Sequence, residues 1–410
     1  MEHLSGKFLM QRVELLAKSS DTAGSLTRLY LSQAHKEALL VVQRWMREAG
    51  MSTRIDGAAT LHGLYKSDVE NAPRLVLGSH VDTVCDAGKF DGNLGVISAI
   101  SMVWELHRLK VKLPFDVEVV AFGDEEGVRF PTTLCGSRAL AGRFDPLCLD
   151  DVDANGITRR KALLDFGVNP QAIAAETLDP KRTLGYVELH IEQGPVLEAS
   201  NCALGIVTAI NGASRGHVVV RGVAGHAGTL PMAMRKDALS AAAEIVLEIE
   251  KIATQAPDLV ATVGTFEVQH GAGNVVPSLV KFSVDIRAPQ DKLRHDAIKR
   301  IEHALDSVSK ARGTSAILDI HYDARATTCD AGLMRDLAAA VAKNGLTVTK
   351  LPSGAGHDAM AFRDRIPVAM VFVRSKDGIS HNPAEFSSEA DIELGAKVLF
   401  DFVMSLKDKR

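Results

Sequence analysis

Between about residues 24 and 206, helix-period stretches alternate with short apolar runs. The alternation resumes between 331 and 406, after an interval with a different order. Such a chain is expected to form an α/β unit, here with a mixed sheet. Residues 36–49, 93–107, 331–344 and 388–406 read as helices, and 74–78, 115–122, 346–351 and 366–373 as strands. Asn93 is the expected cap of its helix. The interval reads strand (217–221), helix (236–253), two strands (259–268 and 280–286), helix (291–311) and strand (316–322). That βαββαβ order is ferredoxin-like α+β. We therefore expect a separate domain at 212–325, inserted into a discontinuous domain formed by 1–211 and 326–410. A length of 410 residues, more than one core usually holds, agrees with two domains.

The interval carries none of the residues that stand out as donors. Those are His80 in Gly-Ser-His-Val-Asp-Thr, Asp91 in Phe-Asp-Gly-Asn, Glu126 in Gly-Asp-Glu-Glu-Gly, His190 in Glu-Leu-His-Ile-Glu-Gln-Gly and His381 in Ile-Ser-His-Asn-Pro. Several follow strands directly, where open α/β sheets bind ligands. Oxygen and imidazole donors without cysteine suit two divalent ions, Zn or Mn with Co or Ni also allowed, rather than a thiolate zinc. Because i and i+2 share a side in an extended segment, Asp82 is expected to orient the His80 imidazole. Adjacent carboxylates at a strand end repel unless a cation is present. We assign Glu126 to a metal and Glu125 to the general base. Taken singly, each residue also reads as a turn Asp, a solvated acid or a core His; the joint pattern carries the assignment.

Substrate recognition points to other positions. Arg287 ends a strand in Asp-Ile-Arg and Asn274 sits in Gly-Asn-Val-Val-Pro. A guanidinium fork beside an amide suits a carboxylate, although a surface Arg at a strand end is the plainer reading. His226 lies in Gly-His-Ala-Gly-Thr, a Gly-rich loop able to carry a donor to an oxyanion. Gln193 extends the polar face beyond His190. The loop Ser353-Gly354-Ala355-Gly356-His357-Asp358 lets backbone N–H groups approach a ligand, and it lacks the length and Lys of a phosphate loop.

Composition narrows the partners. A net charge of −4 without a Lys/Arg block argues against nucleic acid and anionic membrane. No run reaches the ~18 apolar residues of a membrane span. The N-terminal stretch is mixed in charge rather than a signal core. The five cysteines, odd in number and irregularly spaced, read as reduced thiols, and the cytoplasm is the expected location.

These motifs occur in an order that resembles the amidase, hydantoinase/carbamoylase family of the zinc-dependent aminoacylase and carboxypeptidase superfamily, over about Ala23 to Leu406. The resemblance implies that His80, Asp91 and His190 hold one metal and that Asp91, Glu126 and His381 hold the other, with Asp91 bridging. It further implies Glu125 as base, Asp82 as support for His80, and Arg287 with Asn274 on the substrate carboxylate. His226 would reach into the partner subunit of a homodimer built through the inserted domain. Gln193, Asn211 and His357, with Gly356 beside it, match pocket positions. The implied activity is hydrolysis of the ureido bond of a small ureido acid: an N-carbamoyl-L-amino acid, N-carbamoyl-β-alanine or allantoate. The alternatives are an aminoacylase or exopeptidase of the same superfamily and a non-catalytic metal-binding scaffold. Glu125 and the full donor set stand against the scaffold.

Overall fold

Strands Arg74–His80, Asp116–Phe122, Thr183–Ile191 and Val368–Val373 are buried along nearly their whole length. Strands covered on both faces cannot alternate polar with apolar residues, which is why they read as near-continuous apolar runs. In the computed structural model, which describes residues 1–409, they lie parallel in the spatial order 116–122, 74–80, 183–191, 368–373. Leu61–Tyr65 and then Ser52–Ile55 continue the sheet antiparallel beyond 116–122, and Leu204–Ile210 pairs antiparallel with 368–373. The sheet is mixed, and its parallel centre ends along one edge. His80, Glu125, Glu126 and His190 lie in or just after the last residues of those strands, and His381 follows Val368–Val373 after a loop of seven residues.

Helices Gln33–Glu48, Asn93–Arg108, Ala331–Lys343 and Glu389–Asp408 pack on this sheet through residues such as Val42, Val103, Leu337 and Phe402. The expected Asn93 cap is not formed. Gly92 holds that position at φ +63°, and the Asn93 side chain instead accepts a hydrogen bond from Arg28 Nη1 at 2.9 Å. Away from the ligand edge, His62 is buried between two carboxylates, with Nε2 at 3.0 Å from Asp56 and Nδ1 at 2.9 Å from Glu118. The five cysteines are free, and among the described residues no helix is long and apolar enough to cross a membrane.

The chain divides into two compact units. One comprises Met1–Thr208, Cys329–Leu351 and the chain from His357 onward; the other is Ala209–Thr328 with Pro352–Gly356. Residues 352–356 group with the second unit because Ser353 accepts a hydrogen bond from the Asn211 N–H and Gly354 accepts one from Arg287. In that unit Gly212–Arg221 runs antiparallel between Leu279–Ala288 and Ser315–Ala324, with a register shift at Ile320/Tyr322. Val218, Val220, Phe282, Val284 and Ile286 form a core with helices Ala238–Thr254 and Asp291–Arg312. The intervening positions, among them His217, Ser283 and Arg287, stay partly exposed. The single strand expected over 259–268 is split into Val260–Thr262 and Phe266–Val268. Between them the N–H groups of Gly264 and Thr265 turn to the Ser283 hydroxyl, at 3.2 and 2.9 Å, instead of continuing the ladder.

Candidate active site

Asp91 is the hub of the ligand edge. Its Oδ1 lies 3.1 Å from His190 Nε2 and 3.5 Å from His80 Nε2. Its Oδ2 lies 3.2 Å from His381 Nε2, which is also 3.6 Å from Glu126 Oε1. Donor atoms of His80, Asp91 and His190 fall within 4.8 Å of one another, and so do those of Asp91, Glu126 and His381. Two three-residue groups therefore share one carboxylate. The turn that brings Asp91 there needs Gly92, since a Cβ on it would lie 2.5 Å from the His80 ring.

The donors fit divalent ions on a further ground. His80 Nδ1 is 3.0 Å from the Asp82 carbonyl oxygen and His190 Nδ1 is 2.9 Å from that of Ile191. Each ring is oriented by a backbone oxygen on one nitrogen and offers Nε2 on the other, as metal-binding histidines do. The carboxylates are crowded. Burial alone would raise Asp91, but hydrogen bonds from His190, His381 and His80 hold it well below the usual carboxylate range. Burial and the Asp91 charge push Glu126 up to about 7. Burial pushes Glu125 well above its ordinary value; His80 opposes this, and Glu126 adds to it. A carboxyl with raised proton affinity next to paired donors is suited to carry a proton.

Asp82, expected beside His80, also reaches a second loop. The Asp82 carboxylate stands 3.6 Å from His80 Nδ1, farther than the residue's own carbonyl. Its two oxygens accept the N–H groups of Glu125 at 3.2 Å and Glu126 at 3.1 Å, so it fixes the loop that carries both. The regular strand ends at His80, and the alternation of sides ends with it.

Two buried arginines that sequence reasoning missed brace the same loops. Arg28 donates from Nη1 to the Val81 carbonyl and to Asn93, and from Nε to the Ser19 carbonyl. This ties the segments on either side of Asp82 and Asp91 to the N-terminal region. Arg159 pairs with Asp124, both wholly buried, directly before Glu125. No periodicity marks either residue. A lone Arg in a loop or at a helix start carries no local signal of what it will meet.

Gln193 Nε2 donates to Asp91 Oδ2 at 3.0 Å and to Ser380 at 3.2 Å, and the His357 ring packs edge-on against His190 with centroids 4.5 Å apart. Both sit beside the donors. Arg287, Asn274, Asn211, Gly356 and His226 belong to the second unit. There the short ribbon of Gly225–His226 with Val275–Val276 sets His226 next to Asn274, whose carbonyl accepts the Ala227 N–H at 2.9 Å. Both side chains are exposed. Asn211 is buried, and its Oδ1 has no hydrogen-bond partner.

Residues 76–405 match peptidase family M20/M25/M40. The chain is 39% identical to allantoate deiminase 1 of Glycine max over 96% of its own length and 88% of that protein. It is 37% identical to an N-carbamoyl-L-amino-acid amidohydrolase of Pseudomonas sp. (strain NS671), with 98% of each chain covered. The crystal structure of a hydantoinase/carbamoylase family amidase from Burkholderia multivorans superposes with a TM-score of 0.91 at 31% identity, covering 98% of both chains. The chain therefore belongs to peptidase family M20/M25/M40, among its hydantoinase/carbamoylase amidases, and is a hydrolase of carbon–nitrogen bonds.

Proposed function

We propose that this enzyme hydrolyses the ureido bond of a small carboxylate-bearing substrate, an N-carbamoyl-L-amino acid or allantoate, using two divalent ions. The observation that carries the reading is the pair of donor groups sharing Asp91, with Glu125 beside them. His80, Asp91 and His190 would hold one ion; Asp91, Glu126 and His381 would hold the other. Bound there, such ions supply Lewis-acid polarisation of a carbonyl and activation of water. Glu125 removes the proton of the attacking water and returns it to the departing nitrogen. Asp82 keeps the Glu125 backbone in place during both transfers. Arg287 and Asn274 hold the substrate carboxylate, and His226 donates to the oxyanion of the tetrahedral carbon. Gln193, Asn211, Gly356 and His357 line the pocket. An N-carbamoyl substrate yields the amino acid, ammonia and carbon dioxide.

We also assign the second unit the roles of lid and homodimer surface, which brings His226 into the partner's site. The family resemblance supports this. The five free cysteines support a cytoplasmic location.

The experiment is a turnover panel on Zn- and Mn-loaded enzyme. Allantoate, several N-carbamoyl-L-amino acids, N-carbamoyl-β-alanine, N-acetyl amino acids and dipeptides are compared, with ammonia release measured alongside the amino acid. Ammonia from at least one ureido acid is expected. Cleavage confined to acyl or peptide substrates would overturn the proposal.

A further inference from the structure

Glu385, four positions beyond His381, is buried. Its Oε1 accepts the backbone N–H groups of Phe90 at 2.9 Å and Asp91 at 3.1 Å, and its Oε2 accepts the Ser380 hydroxyl at 2.7 Å. One carboxylate thus grips the backbone of the shared ligand and the residue just before His381. The turn at 88–91 admits Glu385 only because position 88 lacks a side chain: a Cβ on Gly88 would lie 2.2 Å from Oε1. Ser380 extends the link, its Oγ standing 3.4 Å from Asp91 Oδ2. His381 itself has φ +54°, a left-handed conformation that a side-chain-bearing residue keeps only when its surroundings hold it there.

We propose that Glu385 is a positioning residue of the metal centre, which sets Asp91 against His381 and so fixes the affinity of the Asp91–Glu126–His381 group for a divalent ion. The proposal rests on reading these residues as metal ligands. Removing the carboxylate leaves two buried N–H groups without an acceptor and frees the His381 loop. Residues that support ligands from behind change metal affinity by about 10- to 100-fold. The effect is unequal between the two groups. His80 and His190 keep their own backbone acceptors on Nδ1, whereas His381 depends on the loop that Glu385 ties down.

The test titrates full-length metal-free protein with Zn²⁺ against a chromophoric chelator, for wild type, Glu385→Ala and Glu385→Gln, with thermal unfolding of each metal-free form alongside. Wild type takes up two equivalents. Glu385→Ala keeps one near wild-type affinity and binds the other about 10- to 100-fold more weakly. Glu385→Gln, whose amide oxygen still accepts from Phe90 and Asp91, recovers most of the loss. If Glu385→Ala does not fold, Ser380→Ala carries the test and weakens the same equivalent. Both equivalents within about threefold of wild type would overturn the proposal. So would an equal weakening of both that follows a drop in melting temperature, since that marks a merely structural residue. A wild-type chain that binds fewer than two ions instead overturns the metal reading itself, and this is seen without any variant.

Discussion

Asp285 chelates the guanidinium of Arg287 side-on, its two oxygens accepting from Nε and Nη2 at 2.9 Å each, while Nη1 donates to the Gly354 carbonyl at 2.9 Å. Three of the five N–H groups of an arginine are thereby engaged. One remains on each of Nη1 and Nη2, the pair that meets a carboxylate end-on. Arg215, 3.0 Å from the same Asp285, offsets the negative charge that would otherwise repel such a ligand.

For Arg287→Ala, kcat/KM on a ureido acid is expected to fall roughly a hundredfold, mainly through KM, since two charge-assisted hydrogen bonds are lost. The carboxamide analogue of the same substrate should lose little. Steady-state kinetics on the two substrates check this. Equal losses on both would show that Arg287 does not read the carboxylate.

Glu125→Gln keeps the size and the neighbours of the side chain but cannot accept a proton. Its kcat is expected to drop by about 10²- to 10⁴-fold, with bound metal and melting temperature unchanged. A drop of less than about tenfold, measured on metal-replete protein, would assign the proton transfer to another group.

The buried Asp56–His62–Glu118 cluster predicts a pH dependence of stability. Burial disfavours the His62 imidazolium, but hydrogen bonds to Asp56 and Glu118 outweigh it and push the pKa up to about 9. An unfolded histidine titrates near 6.5, so the stabilisation is complete below about pH 6.5 and is lost as the pH rises through about 9. The gap in melting temperature between wild type and His62→Gln should therefore narrow across that window. Thermal unfolding at the two ends decides it, and a gap that stays constant would mean that His62 is neutral in the folded chain.

Arg159→Met removes one side of the wholly buried pair with Asp124 and leaves an uncompensated carboxylate. A loss of about 3–5 kcal/mol is expected. The double variant Arg159→Met/Asp124→Leu should recover much of it, because an apolar pair of similar volume needs no compensation. Denaturation of both variants checks this; a double variant no more stable than the single one would contradict it.

The segments of His80, Glu125, Glu126 and His190 could be read from the sequence because each lies at or just past the end of a buried apolar run, and strand-to-loop transitions at Gly-flanked polar residues are local signals. Asp82 shows where local rules stop. Asp82 lies two residues past His80, where the strand ends, and its carboxylate, 3.6 Å from the His80 ring, accepts from the Glu125 loop, a contact that alternation of sides does not predict. Asn93 was a reasonable cap by residue type, yet its amide was claimed by Arg28, 65 positions earlier. Glu385 meets Asp91 across 294 positions. Such braces are set by strand order, and no window along the chain contains both partners.

The strand Val368–Val373 lies between Thr183–Ile191 and Leu204–Ile210, two strands made much earlier in translation. Until it emerges from the ribosome, those two neighbours lack the partner between them, and His381 and Glu385 follow it still later. The segment Gly212–Ala324, whose strands pair among themselves, has by then been fully synthesised. Folding of the first unit is thus bound to finish from its C-terminal part. A nascent chain stopped before residue 368 carries four of the five candidate donors but lacks the strand that joins Thr183–Ile191 to Leu204–Ile210, so the fifth donor can join the other four only after that strand is made.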